Sequence, residues 1–288
     1  MALLKKGIGV VGSTTIDEIV SPDQTVKKMG GATTYAGLTY GRHAIDTFII
    51  SNLAPVDHNI IDRMKRHNIA VLSGKTDRTT HFINHIKGDS RRQQVINRAR
   101  PILLRQLLPA LDDIDGLHIS PLHPDDIEPT ILTELPHSGL KFFIDLQGYT
   151  RRVVNRAVSA AVSHHLPAAL KAADIIKANE SEIKLVLDYF QKDLPEIMEI
   201  FEIEEAVITS GAKGGWVEIP GGEKFVYAAQ SFDTVIDPTG AGDVFFAAYL
   251  LSRFIKNHEI SRSSRYAAGV AARQVAGGYI PFDRLVLS

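Results

Sequence analysis

The chain has 288 residues, of which 44% are hydrophobic and 23% charged, and its 32 Lys and Arg against 33 Asp and Glu give a net charge of −1. It contains no cysteine, which excludes disulfides, thiolate metal sites and cysteine nucleophiles. Near neutrality disfavours nucleic acid as a partner, and the longest apolar run, 244–251, is too short to cross a membrane. We expect a small-molecule partner and, without an evident signal peptide, a cytoplasmic location.

Short apolar segments rich in β-branched residues alternate with helical stretches along the chain. The predicted strands are 8–11, 47–51, 116–119, 141–145, 174–177 and 205–209. This alternation predicts an α/β fold with a mostly parallel central sheet and helices on both faces. Because no repeat, low-complexity segment or linker divides the chain, we interpret residues 1–288 as one domain.

Two segments, about 13–30 and 76–98, break this alternation. The first is β-branched and polar with Pro22 in its middle, and the second is typical of a hairpin that turns at Gly88 and Asp89. We predict that they form a small antiparallel sheet outside the main one. Such a sheet would serve as a lid that excludes water or as the surface of a homodimer, with a monomer as the alternative.

Gly7, Gly9 and Gly12 have the spacing of a dinucleotide-binding fingerprint. In that motif the glycines follow a strand and open a helix, whereas here they lie within the predicted strand and lead into a poor helix start. We therefore interpret them as glycines that allow close packing of a central strand.

The sequence Asp-Pro-Thr-Gly-Ala-Gly-Asp at 237–243 precedes a segment that is apolar nearly all round. A helix of that composition is buried, and small residues before it leave backbone N–H groups open to an anion. Asp243, beside those amides, is placed to accept a hydroxyl proton during phosphoryl transfer. At a helix N-terminus we expect it to be a weak base. The alternative is that Asp243 only favours the helix dipole and the glycines only turn the chain.

The same motif closely resembles the C-terminal signature of the ribokinase/PfkB carbohydrate kinases, in which Thr is usual where Pro238 stands. The resemblance implies a ribokinase-like three-layer α/β/α fold. It also implies a catalytic base at Asp243 and an anion hole formed by the amides of Gly240, Ala241 and Gly242.

Further motifs in the same order along the chain resemble those of this family. Gly30-Gly31-Ala32 is similar to its diglycine motif, 179–182 to its Asn-x-x-Glu motif and 209–215 to its nucleotide loop. The implied substrate-binding residues are Asp17, Gly30, Gly31, Tyr35, Gln147 and Arg151. The implied nucleotide-binding residues are Asn179, Glu182, Thr209, Gly211, Lys213, Gly214 and Thr239, with Glu182 as the metal ligand. Asn179 and Glu182 also have the spacing of a helix capping box, and both interpretations can hold together.

The family resemblance implies a kinase that uses ATP and Mg²⁺, and it leaves a requirement for K⁺ open. Tyr35 stands where ribokinase-like members have a sugar-binding Asn, whereas 31–35, 99–102 and 144–151 look more like a compact subgroup that includes inositol kinases. A cyclic polyol such as myo-inositol is therefore the leading expectation for the substrate. A nucleoside kinase of the same fold and a non-catalytic sugar sensor are the alternatives.

One basic cluster comprises Lys87, Arg91, Arg92, Arg98 and Arg100. It is interpreted as the solvated rim of the hairpin, or as a source of one or two arginines that reach an anionic substrate or the γ-phosphate when the lid closes.

Overall fold

The computed structural model describes residues 4–22, 24–87, 90–230 and 236–287. The strands are β1 (Gly7–Val11), β2 (Thr15–Val20), β3 (Thr25–Gly30), β4 (Thr47–Ile50), β5 (Ile69–Leu72), β6 (Thr80–Lys87), β7 (Ser90–Asn97), β8 (Ile114–Ile119), β9 (Lys141–Asp145), β10 (Arg151–Val154), β11 (Ala157–Ala160), β12 (Ile175–Asn179), β13 (Glu205–Thr209), β14 (Gly215–Glu218) and β15 (Lys224–Tyr227). The helices are α1 (Ala32–Arg42), α2 (Asn59–Lys65), α3 (Thr130–Glu134), α4 (Leu166–Ala172), α5 (Glu180–Phe190), α6 (Leu194–Phe201), α7 (Ala241–Leu250), α8 (Ile260–Val275) and α9 (Phe282–Leu285).

The central sheet has the order β15-β14-β13-β12-β9-β8-β1-β4-β5. The strands from β13 to β5 pair in parallel, and β14 and β15 add an antiparallel edge. All six predicted strands are present in it. One apolar cluster packs α1, α7 and α8 on one face, and a second packs α4, α5 and α6 on the other. The three-layer α/β/α prediction is therefore confirmed.

The glycines of the first strand allow close packing. Gly7 and Gly9 lie inside β1, where an added Cβ would overlap the Asp46 carbonyl oxygen at residue 7 and the Leu117 side chain at residue 9. Neither opens a helix, which agrees with the interpretation of these glycines as packing residues rather than a dinucleotide motif.

A second sheet has the order β10-β11-β7-β6-β2-β3. Its β2–β6 pairing is parallel and its other pairings are antiparallel, whereas the sequence predicted an antiparallel sheet. The reason is that β2 and β6 follow the parallel strands β1 and β5, so both leave the same edge of the main sheet in the same direction. The hairpin of β10 and β11 was not anticipated as part of this sheet. The predicted turn at Gly88 and Asp89 lies outside the described residues.

Ala32, Phe82, Val95 and Leu122 form a small buried cluster beneath this second sheet. Of the predicted basic cluster, Arg98 and Arg100 form exposed ion pairs with Asp125 at 3.1 Å and Asp77 at 2.9 Å, as expected of a solvated rim. The described residues contain no helix with the length and apolar character needed to cross a bilayer.

Candidate functional site

The N-terminus of α7 is held rigidly because the helix behind it is buried from Val244 to Leu250. Gly240 caps the helix with a φ of 76°, a left-handed conformation that favours glycine. The Asp237 carboxylate accepts a hydrogen bond from the Thr239 N–H at 2.9 Å and so fixes the preceding turn. This loop presents backbone donors at the positive end of the helix dipole.

Not every amide of the predicted anion hole is open. The Ala241 N–H donates to the Pro238 carbonyl at 3.3 Å, whereas the N–H groups of Gly240 and Gly242 have no acceptor in the described part of the chain. An anion at this helix end would therefore meet the amides of Gly240 and Gly242 most directly.

Two charged residues that the sequence reasoning missed lie behind this loop. Lys177 of β12 is buried and donates to the Asp145 carboxylate at the end of β9, at 2.9 Å. The other Asp145 oxygen accepts the Gln147 N–H at 3.0 Å. Burial alone would lower the pKa of Lys177, but the carboxylates of Asp145, Glu182 and Asp243 outweigh it and raise the pKa, so the ammonium stays charged.

Asp243 lies in the first turn of α7 beside these charges. Although residue 243 keeps some exposed surface, burial raises the pKa of its carboxyl from 3.8 to about 7. Lys177 and Arg151 lower this pKa, and Asp145 and Glu182 raise it. The expectation of a weak base at the helix N-terminus is therefore wrong, because burial raises the pKa of this carboxyl more than the nearby cations lower it.

A cavity of about 360 Å³ opens in front of α7, between the two sheets. It brings together most of the predicted substrate residues and the signature loop from Pro238 to Asp243, along with residues not predicted. Its lining residues are Thr15, Asp17, Gly31, Ala32, Tyr35, Phe82, Gln93, Leu122, Gln147, Arg151, Lys177 and 238–243.

Asp17 gives this cavity a buried carboxylate on the side of the second sheet. Its Oδ1 accepts a hydrogen bond from the Thr15 hydroxyl at 2.7 Å. Gly30 does not line the cavity, but a Cβ at residue 30 would overlap the Asp17 carboxylate. Gly31 caps α1 with a φ of 86°, and a Cβ there would overlap the Ser13 carbonyl oxygen. The two glycines thus make room for Asp17 and for the turn into α1.

Of the predicted nucleotide residues, Thr239 lines this cavity, whereas the others lie at the same edge of the central sheet and do not line it. Asn179 and Thr209 are register partners at the carboxyl ends of β12 and β13. Gly211 and Lys213 bound a short 3₁₀ turn after β13, and Gly214 follows it with a φ of 96°. Whether they bind a nucleotide stays a prediction.

The capping-box interpretation of Asn179 and Glu182 is correct. The Asn179 side chain accepts the Glu182 N–H at 2.9 Å, and Glu182 Oε2 accepts the Asn179 N–H at 2.8 Å. Burial raises the pKa of Glu182, which is itself buried, and Lys177 opposes that effect. The structure gives Glu182 Oε1 no hydrogen-bond partner among the residues it describes.

The described residues hold no group of three or more His, Asp or Glu placed to bind a metal by themselves. Mg²⁺ is usually held by one or two carboxylates together with water and phosphate oxygens. Glu182 fits that pattern, because one of its oxygens is fixed by the cap and the other is not.

The missed residues had a signal in the sequence. Lys177 lies between the apolar residues Ile176 and Ala178 of its strand, and Asp145 ends another strand. Charged side chains in buried parallel strands are rare unless they form an ion pair. The presence of one Lys and one Asp in such strands therefore predicts that the two pair across the sheet.

Comparison with known proteins supports the same family. A search of the curated proteins gives no match. Among solved structures, a sulfate complex of a pyrophosphate-dependent kinase in the ribokinase family superposes with a TM-score of 0.82 at 22% identity, covering 96% of this chain and 98% of that one. A nucleoside kinase of Burkholderia thailandensis in complex with inosine gives 0.75 at 20% identity, covering 94% and 91%. A ribokinase of Thermotoga maritima gives 0.75 at 17% identity, covering 97% and 96%.

These structural likenesses establish the fold. The family model described as pfkB family carbohydrate kinase matches residues 10–279, which is most of the chain. The chain therefore belongs to the pfkB family of carbohydrate kinases, enzymes that phosphorylate hydroxyl groups of sugars.

Proposed function

We propose that this kinase transfers the γ-phosphoryl group of ATP to a hydroxyl of a cyclic polyol, with myo-inositol as the leading acceptor. One observation carries the proposal: a single cavity is lined by Asp243, the open amides of the α7 N-terminus, the charged Lys177 and the buried Asp17. A proton acceptor, an anion site and a hydroxyl-binding carboxylate thus face one small volume.

In this proposal Asp243 accepts the proton of the acceptor hydroxyl. A general base works best when its pKa lies near the working pH, and the pKa of about 7 meets that condition. The nearby Lys177 ammonium stabilises the carboxylate form, so a useful fraction is ionised at neutral pH.

The amides of Gly240 and Gly242, with Lys177 and Arg151, take the negative charge of the moving phosphoryl group. Phosphoryl transfer has a loose transition state in most analyses, so positioning and charge stabilisation supply most of the catalysis. Fixed amides and a buried ammonium need little reorganisation when the charge moves toward them.

Glu182, the metal ligand that the sequence predicted, would hold Mg²⁺ through the oxygen that the cap does not use. When bound, Mg²⁺ would neutralise negative charge on the phosphate oxygens of the donor. Asn179, Thr209, Gly211, Lys213 and Gly214 would hold the nucleotide along the carboxyl edge of β12 and β13.

The acceptor preference is supported by the chemistry of the cavity wall. Asp17, Gln93 and Gln147 offer hydrogen-bonding groups to several hydroxyls, while Tyr35 and Phe82 provide apolar surface for a ring. One similar structure, with a TM-score of 0.77, is a pyrophosphate-dependent kinase complexed with a pyrophosphate analog and myo-inositol. Its acceptor supports a polyol here, and its donor makes pyrophosphate the second donor to test.

A nucleoside kinase is the second candidate, because the Burkholderia thailandensis structure that resembles this chain binds inosine. A nucleoside would place its base against Phe82 and Leu122 on the side of the second sheet.

The test is a product assay over two donors, ATP and pyrophosphate, and a panel of acceptors that contains myo-inositol, ribose, fructose, adenosine and inosine. We expect the highest kcat/KM with ATP and a cyclic polyol. A preference for adenosine or inosine would replace the polyol with a nucleoside, and turnover only with pyrophosphate would overturn the donor. Binding of a sugar without turnover of either donor would favour the non-catalytic sensor.

A further inference from the structure

A second cavity, of about 670 Å³, lies among the C-terminal ends of α1 and α2 and the short helix α9. It shares no lining residue with the cavity of about 360 Å³ in front of α7, which we call the kinase cavity. Four arginines line it from separate elements: Arg42 ends α1, Arg63 lies in α2, Arg66 follows α2 and Arg284 lies in α9. Among the residues that the structure describes, Asp283 is the one acidic residue that lines it. The cavity is therefore strongly positive in a chain whose net charge is −1.

These guanidinium groups are not neutralised within the part of the chain that the structure describes. Arg42 Nη1 donates to the Tyr279 carbonyl at 2.9 Å, and Arg63 Nη1 donates to the Val286 carbonyl at 2.7 Å. None of the four forms an ion pair with a carboxylate of the described residues. Each guanidinium has five N–H donors, so most of the donors around the cavity remain available.

The helix dipole explains part of this arrangement. Arg42 and Arg63 lie in the last turns of α1 and α2, where a cation is favoured. That effect acts on each helix separately and does not account for four arginines around one cavity, with Arg284 from a distant part of the chain. The arginine charges also act on His67, which lines the cavity. Burial lowers the pKa of its imidazole, and the charges of Arg284 and Arg66 lower that pKa further.

We propose that this cavity is a second ligand site that binds a phosphate-bearing organic anion. Guanidinium groups match phosphate oxygens with paired, charge-assisted hydrogen bonds, and arginine is the preferred residue for that recognition. The volume exceeds what a single phosphate group fills, so the site has room for the organic part of a nucleotide or a sugar phosphate. The proposal is independent of the acceptor and donor of the kinase reaction.

The test is titration calorimetry at low salt with three probes. Inorganic pyrophosphate tests the shared phosphate chemistry, while ADP and ribose 5-phosphate show which organic part the site accepts. The variant is Arg66→Ala/Arg284→Ala, at two exposed residues of the cavity, and the matched control is Arg262→Ala/Arg265→Ala, at two exposed arginines of α8. Both variants lose two charges, and thermal unfolding verifies that both are folded.

We expect the wild type and the control variant to bind the probes at a site outside the kinase cavity. In the Arg66→Ala/Arg284→Ala variant, the affinity of that site should fall by about tenfold for each lost arginine. Binding in the kinase cavity stays the same in all three proteins and is counted separately. A second readout is the pKa of the His67 imidazole, measured by NMR and assigned with His67→Gln. A bound anion offsets the arginine charges, so this pKa should rise with the probe. Equal binding by both variants, no binding event in the wild type outside the kinase cavity, or an unmoved His67 pKa would each overturn the proposal.

Discussion

Asp243 combines a position at a helix N-terminus with a pKa of about 7 that burial sets. If it is the base, only its ionised form is active, so activity is lost as the pH falls through that pKa. We expect kcat/KM for the acceptor to rise with pH up to about 7 and to level off above it. A pH–rate profile measures this, and a profile that is flat between pH 6 and 8 would contradict the assignment.

Replacement of Asp243 by Asn removes the base and keeps the shape of the side chain. We expect turnover to fall about 10²- to 10⁴-fold. The folded pKa lies above the unfolded value of 3.8, so this carboxyl costs stability as the pH rises from that value toward 7. Asp243→Asn should therefore unfold at a higher temperature than the wild type at pH 8 and lose that advantage at pH 4. Full activity in the variant would exclude Asp243 as the base.

Lys177 lowers the pKa of Asp243, so its removal should make the base harder to ionise. We expect Lys177→Met to move the acidic limb of the pH–rate profile to higher pH and to weaken turnover, in addition to its cost in stability. Lys141→Met is the matched control, because Lys141 pairs with Asp174 at 2.6 Å and Glu204 at 2.7 Å away from the cavity. An equal shift of the limb in both variants would contradict the role of Lys177.

At the scale of elements, Lys28 connects the second sheet to the signature loop. It lies in β3 with no exposed surface, pairs with Asp237, and faces the Phe282 ring of α9 with its ammonium 5.2 Å from the ring centroid. Asp237 in turn holds the Thr239 N–H. A charge on the second sheet thus fixes the turn that leads into the α7 N-terminus.

Replacement of Lys28 removes a buried ammonium and leaves the partly exposed Asp237 carboxylate without this partner. We expect Lys28→Met to lower the free energy of unfolding by about 1–3 kcal/mol in urea denaturation. Lys27→Met is the control in the same strand, where the side chain is 57% exposed, and it should change that energy by less than about 0.5 kcal/mol. Similar midpoints for the two variants would show that the Lys28–Asp237 pair contributes nothing.

At the scale of the whole molecule, the kinase cavity lies between the two sheets. We interpret the second sheet as a lid that closes over the central sheet when the acceptor binds. Acceptor binding should then slow amide hydrogen exchange in the β10–β11 hairpin, which carries Arg151 into the cavity. The β14–β15 edge of the central sheet lies away from the cavity and should not change. Exchange measured by mass spectrometry with and without the acceptor tests this, and equal protection of both hairpins would argue against a lid.

The sequence predicted the central sheet well because its strands are apolar, short and separated by helices. It assigned Asp243 from the signature motif and Asp17 from its position after the first strand, and both residues line one cavity in the structure. It could not predict the parallel pairing of β2 with β6, since that depends on where β1 and β5 lie in the main sheet. The pKa of Asp243 was missed for a similar reason: Lys177, Asp145 and Glu182 surround it from other elements, and neither their charges nor the burial follow from the motif alone.

Gly240 lies directly against the ring of the buried Tyr35, so that a Cβ at residue 240 would overlap it. In the proposed reaction, the wall that shapes the acceptor site is thus the same surface that supports the turn proposed to bind phosphate. A substitution at Tyr35 that suits a new acceptor also changes the support beneath that turn. Evolution or engineering of acceptor choice in this enzyme will therefore alter the rate of phosphoryl transfer at the same time, and selectivity and speed have to be adjusted together.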